Sequence, residues 1–396
     1  MRFVATFIAL VSCLVVSVSA TTCKVTASGG DDAPAFLSAV QKCTQVTIDK
    51  DTTLNISTRL NMTGLNDRRI KLKGTIKFNP DIAYWAGNGF SFPFQTQITF
   101  WIFGGNNIRI DGGGTIDGSG QAWYDAFAAN SSLLRPITLT VFQAQNVVIE
   151  DITMLNSPEW FNFVNEGKHV SYNNIRISAT TSSVNRIANT DGWDVYRSDD
   201  VSITNSNINN GDDCVSFKPN ATNIIVNNLV CNGSHGISVG SLGQFPGVFD
   251  IVENVTASNI RISNAQNGAR IKAWAGPNVG SGIVKNIVFE HFIESNNDNP
   301  VIIDQCYMTN ATACAQFPSN TFIQNVVFND ISGTSSGSTK SVVASLKCSP
   351  DGRCEDVTVS NFNLTPPAIY APAAYACQNV NLTGNAAGLF GTCTTT

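Results

Sequence analysis

The sequence predicts an all-β solenoid, a parallel β-helix of about ten coils with a short N-terminal capping helix. Three observations carry the prediction. A unit of two or three short β-branched stretches recurs along the chain at loosely regular intervals, from NIRIDGGGTID at Asn107 through NVVIEDITMLN at Asn146 to DVTVSNFNLTP at Asp356. Asn, Asp, Gly or Ser breaks each stretch, the signature of strands joined by tight turns. No helical period competes after residue 100. Strands this short favour a β-helix over a leucine-rich horseshoe, and the blade signature of a propeller is lacking. In such a solenoid each coil hydrogen-bonds to the next at ~4.8 Å, so residues one coil apart in sequence become neighbours in space.

The elements follow in chain order. MRFVATFIALVSCLVVSVSA has an early Arg2, an apolar centre and small residues at Val18 and Ala20, which predicts a secretory signal, residues 1–20, cleaved after Ala20. A retained anchor is disfavoured, because the run is barely long enough to span a bilayer and no basic flank follows it. DDAPAFLSAVQKC, Asp31 to Cys43, carries apolar residues at helical spacing and reads as an amphipathic helix capping the first coil. YWAGNGFSFPFQTQITFWIFGG, Tyr84 to Gly105, opens a long aromatic-bearing interval to Leu134. Its rings either pack under the cap or build loops that close one end of a groove. The run SGTSSGSTK, Ser332 to Lys340, sits inside the repeat series and reads as a loop between strands. No interdomain linker interrupts the series, so residues 21–396 form a single domain.

Removing the signal takes Cys13 from the eleven cysteines and leaves an even number, which suits an oxidising compartment. The simplest local pairing is Cys23 with Cys43, Cys214 with Cys231, Cys306 with Cys314, Cys348 with Cys354 and Cys377 with Cys393, although spacing alone does not fix connectivity. Zinc is disfavoured, since no CxxC occurs and His169, His235 and His291 stand far from any suitable cysteine pair. Sequons at Asn55, Asn61, Asn130, Asn220, Asn232, Asn254, Asn310, Asn363 and Asn381 agree with secretion and glycosylation. A net charge of -5 argues against a nucleic-acid partner.

The chemistry concentrates in NTDGWDVYRSDDVSITNSNINNGDDC, Asn189 to Cys214. The separation of Asp191 from Asp212 is close to the shorter coil interval, so stacking sets one almost above the other, with Asp213 at the same level. Glycoside hydrolysis needs one protonated carboxyl and one ionised carboxylate, and crowding supplies that asymmetry by raising one pKa while a neighbour stays charged. The dense alternating acids of a calcium loop are lacking. GSHGISVGSLG, Gly233 to Gly243, follows one coil later and brings His235 beside the carboxylates. A coil further, ARIKAW places Arg270 and Lys272 on one face of a strand and turns Ile271 to the core, which suits recognition of a sugar carboxylate.

NTDG, GDDC, GSHGISVGS and RIK, in this order and near these spacings, resemble the polygalacturonase family of pectin-degrading glycoside hydrolases, family 28. GGGTIDGSGQAWYD (Gly112 to Asp125), NSPEW (Asn156 to Trp160) and IDQCY (Ile303 to Tyr307) extend the resemblance over nearly the whole mature chain. It implies a single-stranded, right-handed parallel β-helix and hydrolysis of α-1,4-galacturonosyl linkages with inversion, without metal or organic cofactor. Asp212 resembles the general acid, Asp191 and Asp213 the pair that activates water, and His235 the residue supporting Asp212. Arg270 and Lys272 resemble the cations that hold the galacturonate carboxylate, and Tyr307 the tyrosine of the substrate site. Four of the five cysteine pairs resemble the family's bridges, whereas Cys306 with Cys314 has no counterpart. Inverting enzymes usually separate their carboxylates by about 6.5–9.5 Å, wider than stacking at strand spacing gives, so inversion rests on the resemblance alone.

Within the family the motifs are most similar to fungal exo-polygalacturonases, which release monomer from the non-reducing end. An endo-polygalacturonase, or a hydrolase of xylogalacturonan or rhamnogalacturonan, is the alternative among enzymes. A non-catalytic pectin-binding β-helix is the alternative outside them, weakened because all the expected acids are present. The expected product is a secreted, extracellular monomer acting on polygalacturonate, with no membrane association after signal cleavage.

Overall fold

The computed structural model describes residues 21–396, so the expected signal, residues 1–20, lies outside them. The chain winds a single-stranded right-handed parallel β-helix. Among the described residues every strand pairing is parallel except that of Phe90–Phe92 with Gln97–Thr99.

Two families of strands alternate along each coil. Short strands, among them Leu139–Phe142, Asn162–Asn165, Trp193–Tyr196, Val215–Phe217, Ile237–Leu242, Asn267–Trp274 and Asn299–Tyr307, stack into one sheet. Long strands such as Lys168–Ser178, Asp199–Asn209 and Phe249–Ser263 stack beside them and turn a corner midway. Asn174, Asn205, Asn228 and Asn259 occupy that corner with φ of 53–58°, a left-handed conformation that Asn tolerates better than most residues. The Asn-rich repeat is therefore a repeat of bends. A second column is a ladder of side-chain amides: Asn223 donates to Asp199, Asn254 to Asn223, Asn286 to Asn254 and Asn325 to Asn286, at 2.6–3.0 Å.

Alternation along the short strands sorts core from groove. Val164, Val195, Phe217, Val239, Ile271 and Ile303 form one register column, fully buried in the main core. Each such side chain contributes ~1.5–3 kcal/mol by leaving water, and together they fix the register, because a one-residue slip would turn the column outward.

The capping helix forms over Ala33–Lys42 and buries Ala33, Phe36 and Val40 on the first coils. Asp32 before it ties helix to coil, its carboxylate accepting from Ser28 and from the Asn55 backbone N–H at 2.9 Å. All five expected cysteine pairs are bonded, including Cys306 with Cys314. Two expectations are corrected. Helices Gln121–Ala129 and Ala311–Gln316 lie beyond residue 100. Both sit in excursions between strands and are too short for an apolar period to stand out; Trp123 and Tyr124 anchor the first. Of the run Ser332–Lys340, the first four residues complete the strand Thr321–Ser335, and only the remainder is loop.

Candidate active site

Asp191, Asp212 and Asp213 present carboxylate oxygens within 4.8 Å of one another. The register explains the meeting and corrects one detail. Trp193 pairs with Val215, and stepping back two positions on both strands sets Asp191 against Asp213 rather than Asp212. The Gly192 N–H donating to the Asp213 carbonyl at 2.9 Å holds that alignment. Asp212 stands beside the pair. The same offset between Val215 and Ile237 brings His235 alongside, and its Nδ1 lies 3.1 Å from Asp212 Oδ1.

Asp213 is fully buried at the floor. Lys272 Nζ lies 2.7 Å from one oxygen, while Ser238 donates to the other at 2.7 Å and Arg270 approaches that oxygen at 3.9 Å. Burial alone would push its carboxyl up, but the two cations reverse this and hold Asp213 well below the usual carboxylate range. Asp191 has no such partner. Burial, with repulsion from Asp194 and Asp212, raises it well above the ordinary value. At Asp212 burial also pushes upward, and the hydrogen bond and charge of His235 outweigh it, leaving a net lowering. The trio thus contains one fixed anion, Asp213, and a pair, Asp191 and Asp212, that divides a proton between unlike environments.

The strand Asn267–Trp274 delivers both cations to one face, as alternation requires, with Ile271 in the core between them. The Tyr307 ring centroid lies 5.3 Å from the Arg270 guanidinium and 5.4 Å from Lys272 Nζ, and Trp274 meets the same ring edge-on. Cys306–Cys314 closes the loop that carries Tyr307, which gives a local reason for this bridge.

All seven expected site residues therefore line one cleft of about 410 Å³. Others join them that sequence reasoning assigned no role. Lys218 lines the cleft, ion-pairs with Asp194 at 3.0 Å and lies over the Trp160 ring at 5.1 Å. Burial works against its charge, yet Asp194, Asp191 and Asp213 raise its pKa and keep it an ammonium. A signal for it exists, since it continues the alternation of Val215–Phe217 on the outward side. Glu159, within NSPEW, also lines the cleft, and burial, partly opposed by Arg135, pushes its carboxyl up to about 7. Arg135, 2% exposed, donates to Pro158 and Ala188 carbonyls and to Asn189 Oδ1 at 2.7–2.8 Å, and Asn189 in turn reaches Asp212 at 3.5 Å. Arg186 contacts His235 Nε2 at 3.1 Å from a loop that carries no sequence signal.

A hairpin forms a wall of the cleft, lining it with Gln95 and Gln97. The hairpin Phe90–Thr99 lies across the sheet's outer face, with Phe94 stacked on Tyr196 at 4.0 Å and Phe92 edge-on to Phe163. At the rim, Gln95 donates to Gln244 at 3.0 Å, joining the hairpin to a loop far along the chain. The aromatic interval thus divides in two: Trp85, Phe100, Trp101 and Trp123 pack in the main core, and Phe92 and Phe94 seat the hairpin in a separate cluster on the outer face of the sheet.

The family model for glycosyl hydrolases family 28 matches residues 21–388. The chain is 46% identical to an exopolygalacturonase of Cochliobolus carbonum, over 90% of this chain and 83% of that protein. It is 45% identical to a probable exopolygalacturonase B of Aspergillus niger, over 82% and 75% respectively. Among solved structures, endo-xylogalacturonan hydrolase from Aspergillus tubingensis superposes with a TM-score of 0.85 at 31% identity, covering 95% of this chain and 99% of that one. A polygalacturonase from Erwinia carotovora shares the fold, with a TM-score of 0.71 at 20% identity, covering 92% and 96%.

Proposed function

The chain belongs to glycosyl hydrolases family 28, and from that premise we propose that it hydrolyses the α-1,4-galacturonosyl linkages of polygalacturonate, releasing galacturonic acid from the non-reducing end. One observation carries this reading: three carboxylates within 4.8 Å of one another lie between two carboxylate-binding cations and the hairpin wall of the cleft.

Asp212 is assigned as general acid. It gives its proton to the glycosidic oxygen as the bond from that oxygen to the anomeric carbon breaks. Water attacks the carbon from the opposite face and passes a proton to the carboxylate pair Asp191 and Asp213, so the anomeric configuration inverts. His235 supports Asp212 at 3.1 Å, and Asp213, held ionised by Lys272 and Arg270, is suited to act as base. Arg270 and Lys272 take the galacturonate carboxylate, and the Tyr307 ring flanks it. The wall blocks the chain beyond the terminal sugar, which is what exo action requires.

The uneven electrostatics of the pair support a second reading of the acid. Asp191 is the raised carboxyl, so the proton of the free enzyme rests there in preference to Asp212. An aryl galacturonide whose leaving group needs no proton separates the two. The variant lacking the acid keeps turnover on it, and the variant lacking the base does not.

The similarity to endo-xylogalacturonan hydrolase supports a different substrate reading, an endo attack on a branched chain. Product analysis on polygalacturonate decides. Early galacturonic acid with little loss of viscosity is expected; rapid thinning with mixed oligomers would overturn the exo assignment.

Secretion fits the five disulfides. Among the described residues no helix is long and apolar enough to cross a membrane. The protein is assigned as an extracellular monomer, glycosylated at exposed sequons such as Asn55, Asn61 and Asn363. Asn232 and Asn254 are weaker acceptors, because their amides donate within the ladders.

A further inference from the structure

We propose that a pocket on the far side of the wall is a second, non-catalytic site for oligogalacturonate, so that the enzyme holds the polymer at one place and trims it at another. The inference rests on the pectin reading above for the nature of the chain. The pocket measures about 670 Å³, and Arg59, Phe90, Phe142, Asn165, Tyr196 and Arg197 define it. Phe142, Asn165 and Tyr196 are successive rungs of one outward column on the short-strand sheet. Farther along the same sheet, Lys272 faces the catalytic cleft. The hairpin Phe90–Thr99 stands between the two, so the wall of the cleft also forms a side of the pocket.

Three features fit an anionic sugar. Aromatic rings line the pocket, and Phe90, Phe142 and Tyr196 each stay partly exposed there, which offers apolar ring surface to the C–H side of a pyranose. Two exposed guanidinium groups flank the rings, Arg59 4.8 Å from the Phe90 centroid and Arg197 5.1 Å from that of Tyr196. They suit bidentate pairing with carboxylates. The one acid of the lining, Glu166, accepts from Gln143 at 2.9 Å and reaches Arg197 only at 3.9 Å, so the pocket is locally cationic on a chain of net charge -5. Asn165 is the third feature. It is 4% exposed, and its side-chain oxygen has no partner among the described residues, which leaves a buried acceptor for a sugar hydroxyl.

A site of this kind raises the local concentration of chain ends without contributing to bond cleavage. Calorimetric titration of the Asp212→Asn protein with trigalacturonate tests it. Two sites are expected, and one after Arg59→Ala and Arg197→Ala are added. In the active enzyme the same arginine pair leaves turnover of digalacturonate unchanged when replaced, and its loss raises KM for long polygalacturonate roughly five-fold. Asn165→Asp, which puts a carboxylate in the pocket, weakens the second site with both arginines in place. A stoichiometry of one in the Asp212→Asn protein, two sites persisting without the arginines, or equal binding of a neutral galactose oligomer overturns the proposal. Failure of the active enzyme to release galacturonate overturns the pectin reading instead.

Discussion

The two sides of the carboxylate cluster are built by different means. On one side Arg270, Lys272 and Tyr307 project from strands whose positions are inherited, rung by rung, from the coil below. On the other, Gln95, Gln97, Glu159 and Trp160 come from an inserted hairpin and a turn, held by ring packing and one amide bridge. The ladder side presents its charges on a frame that cannot shift without breaking the core. The wall side, lying outside the stacked strands, is the side that can change without disturbing the solenoid.

The largest effect is expected where the two sides meet. Asp212→Asn keeps the shape and removes the transferable proton, so release of galacturonate from polygalacturonate should fall ~10²–10⁴-fold with melting unchanged. Retention of near-normal turnover would take Asp212 out of the acid role and leave Asp191, the raised carboxyl, as the acid.

On the ladder side, Lys272→Ala removes the nearer of the two cations beside a fully buried anion, 2.7 Å away. Breaking a buried pair typically costs ~3–5 kcal/mol, so both stability and substrate handling should suffer. The sign with pH follows from the depressed carboxyl. In the parent, the Asp213 contribution is complete above the unfolded pKa and is lost progressively as pH falls from there through its very low folded value. The variant raises that folded value, so the acid-dependent part of its stability shrinks: thermal melts over an acid series should start lower than the parent's and fall less with decreasing pH.

The ladder side is also the legible one. Asp191, Asp213 and His235 are evenly spaced in the sequence, and two successive coils that happen to be equal in length convert that spacing into adjacency. Arg270 and Lys272 follow from period-two alternation around Ile271. Which aspartate stacks on Asp191 is not legible, because coil lengths are not identical and only the pairing of Trp193 with Val215 sets the count. The wall resists reading for the opposite reason. Nothing in the spacing of Gln95 and Gln244 signals that they touch, and Glu159 sits in a turn, where neither period applies.

A third expectation concerns a carboxyl that neither side uses. Glu294 is 2% exposed, and burial pushes it up to about 8 despite a hydrogen bond from Asn297. A carboxyl raised in the folded state binds its proton more tightly there than in the unfolded chain. Its contribution is therefore complete below the unfolded value of ~4.3 and declines as pH rises toward 8, by on the order of 5 kcal/mol at most. Melting temperature should fall from pH 5 to pH 8, and Glu294→Gln, which mimics the protonated form, should flatten that slope.

The smallest effect tests the wall itself. Gln95→Ala with Gln244→Ala deletes the bridge at the rim but leaves Phe92 and Phe94 packed on the sheet. A net hydrogen bond is worth ~0.5–1.5 kcal/mol, so the hairpin should loosen rather than detach. Turnover of digalacturonate needs only the closed end near the aspartates and should hardly change. On polygalacturonate, a hairpin that opens part of the time lets chain cross the former end of the cleft, so short oligomers should join galacturonic acid among the early products. An unchanged product profile would mean that the aromatic packing alone closes the cleft. In that case the mode of attack is set by Phe92 and Phe94, not by the amide contact above them.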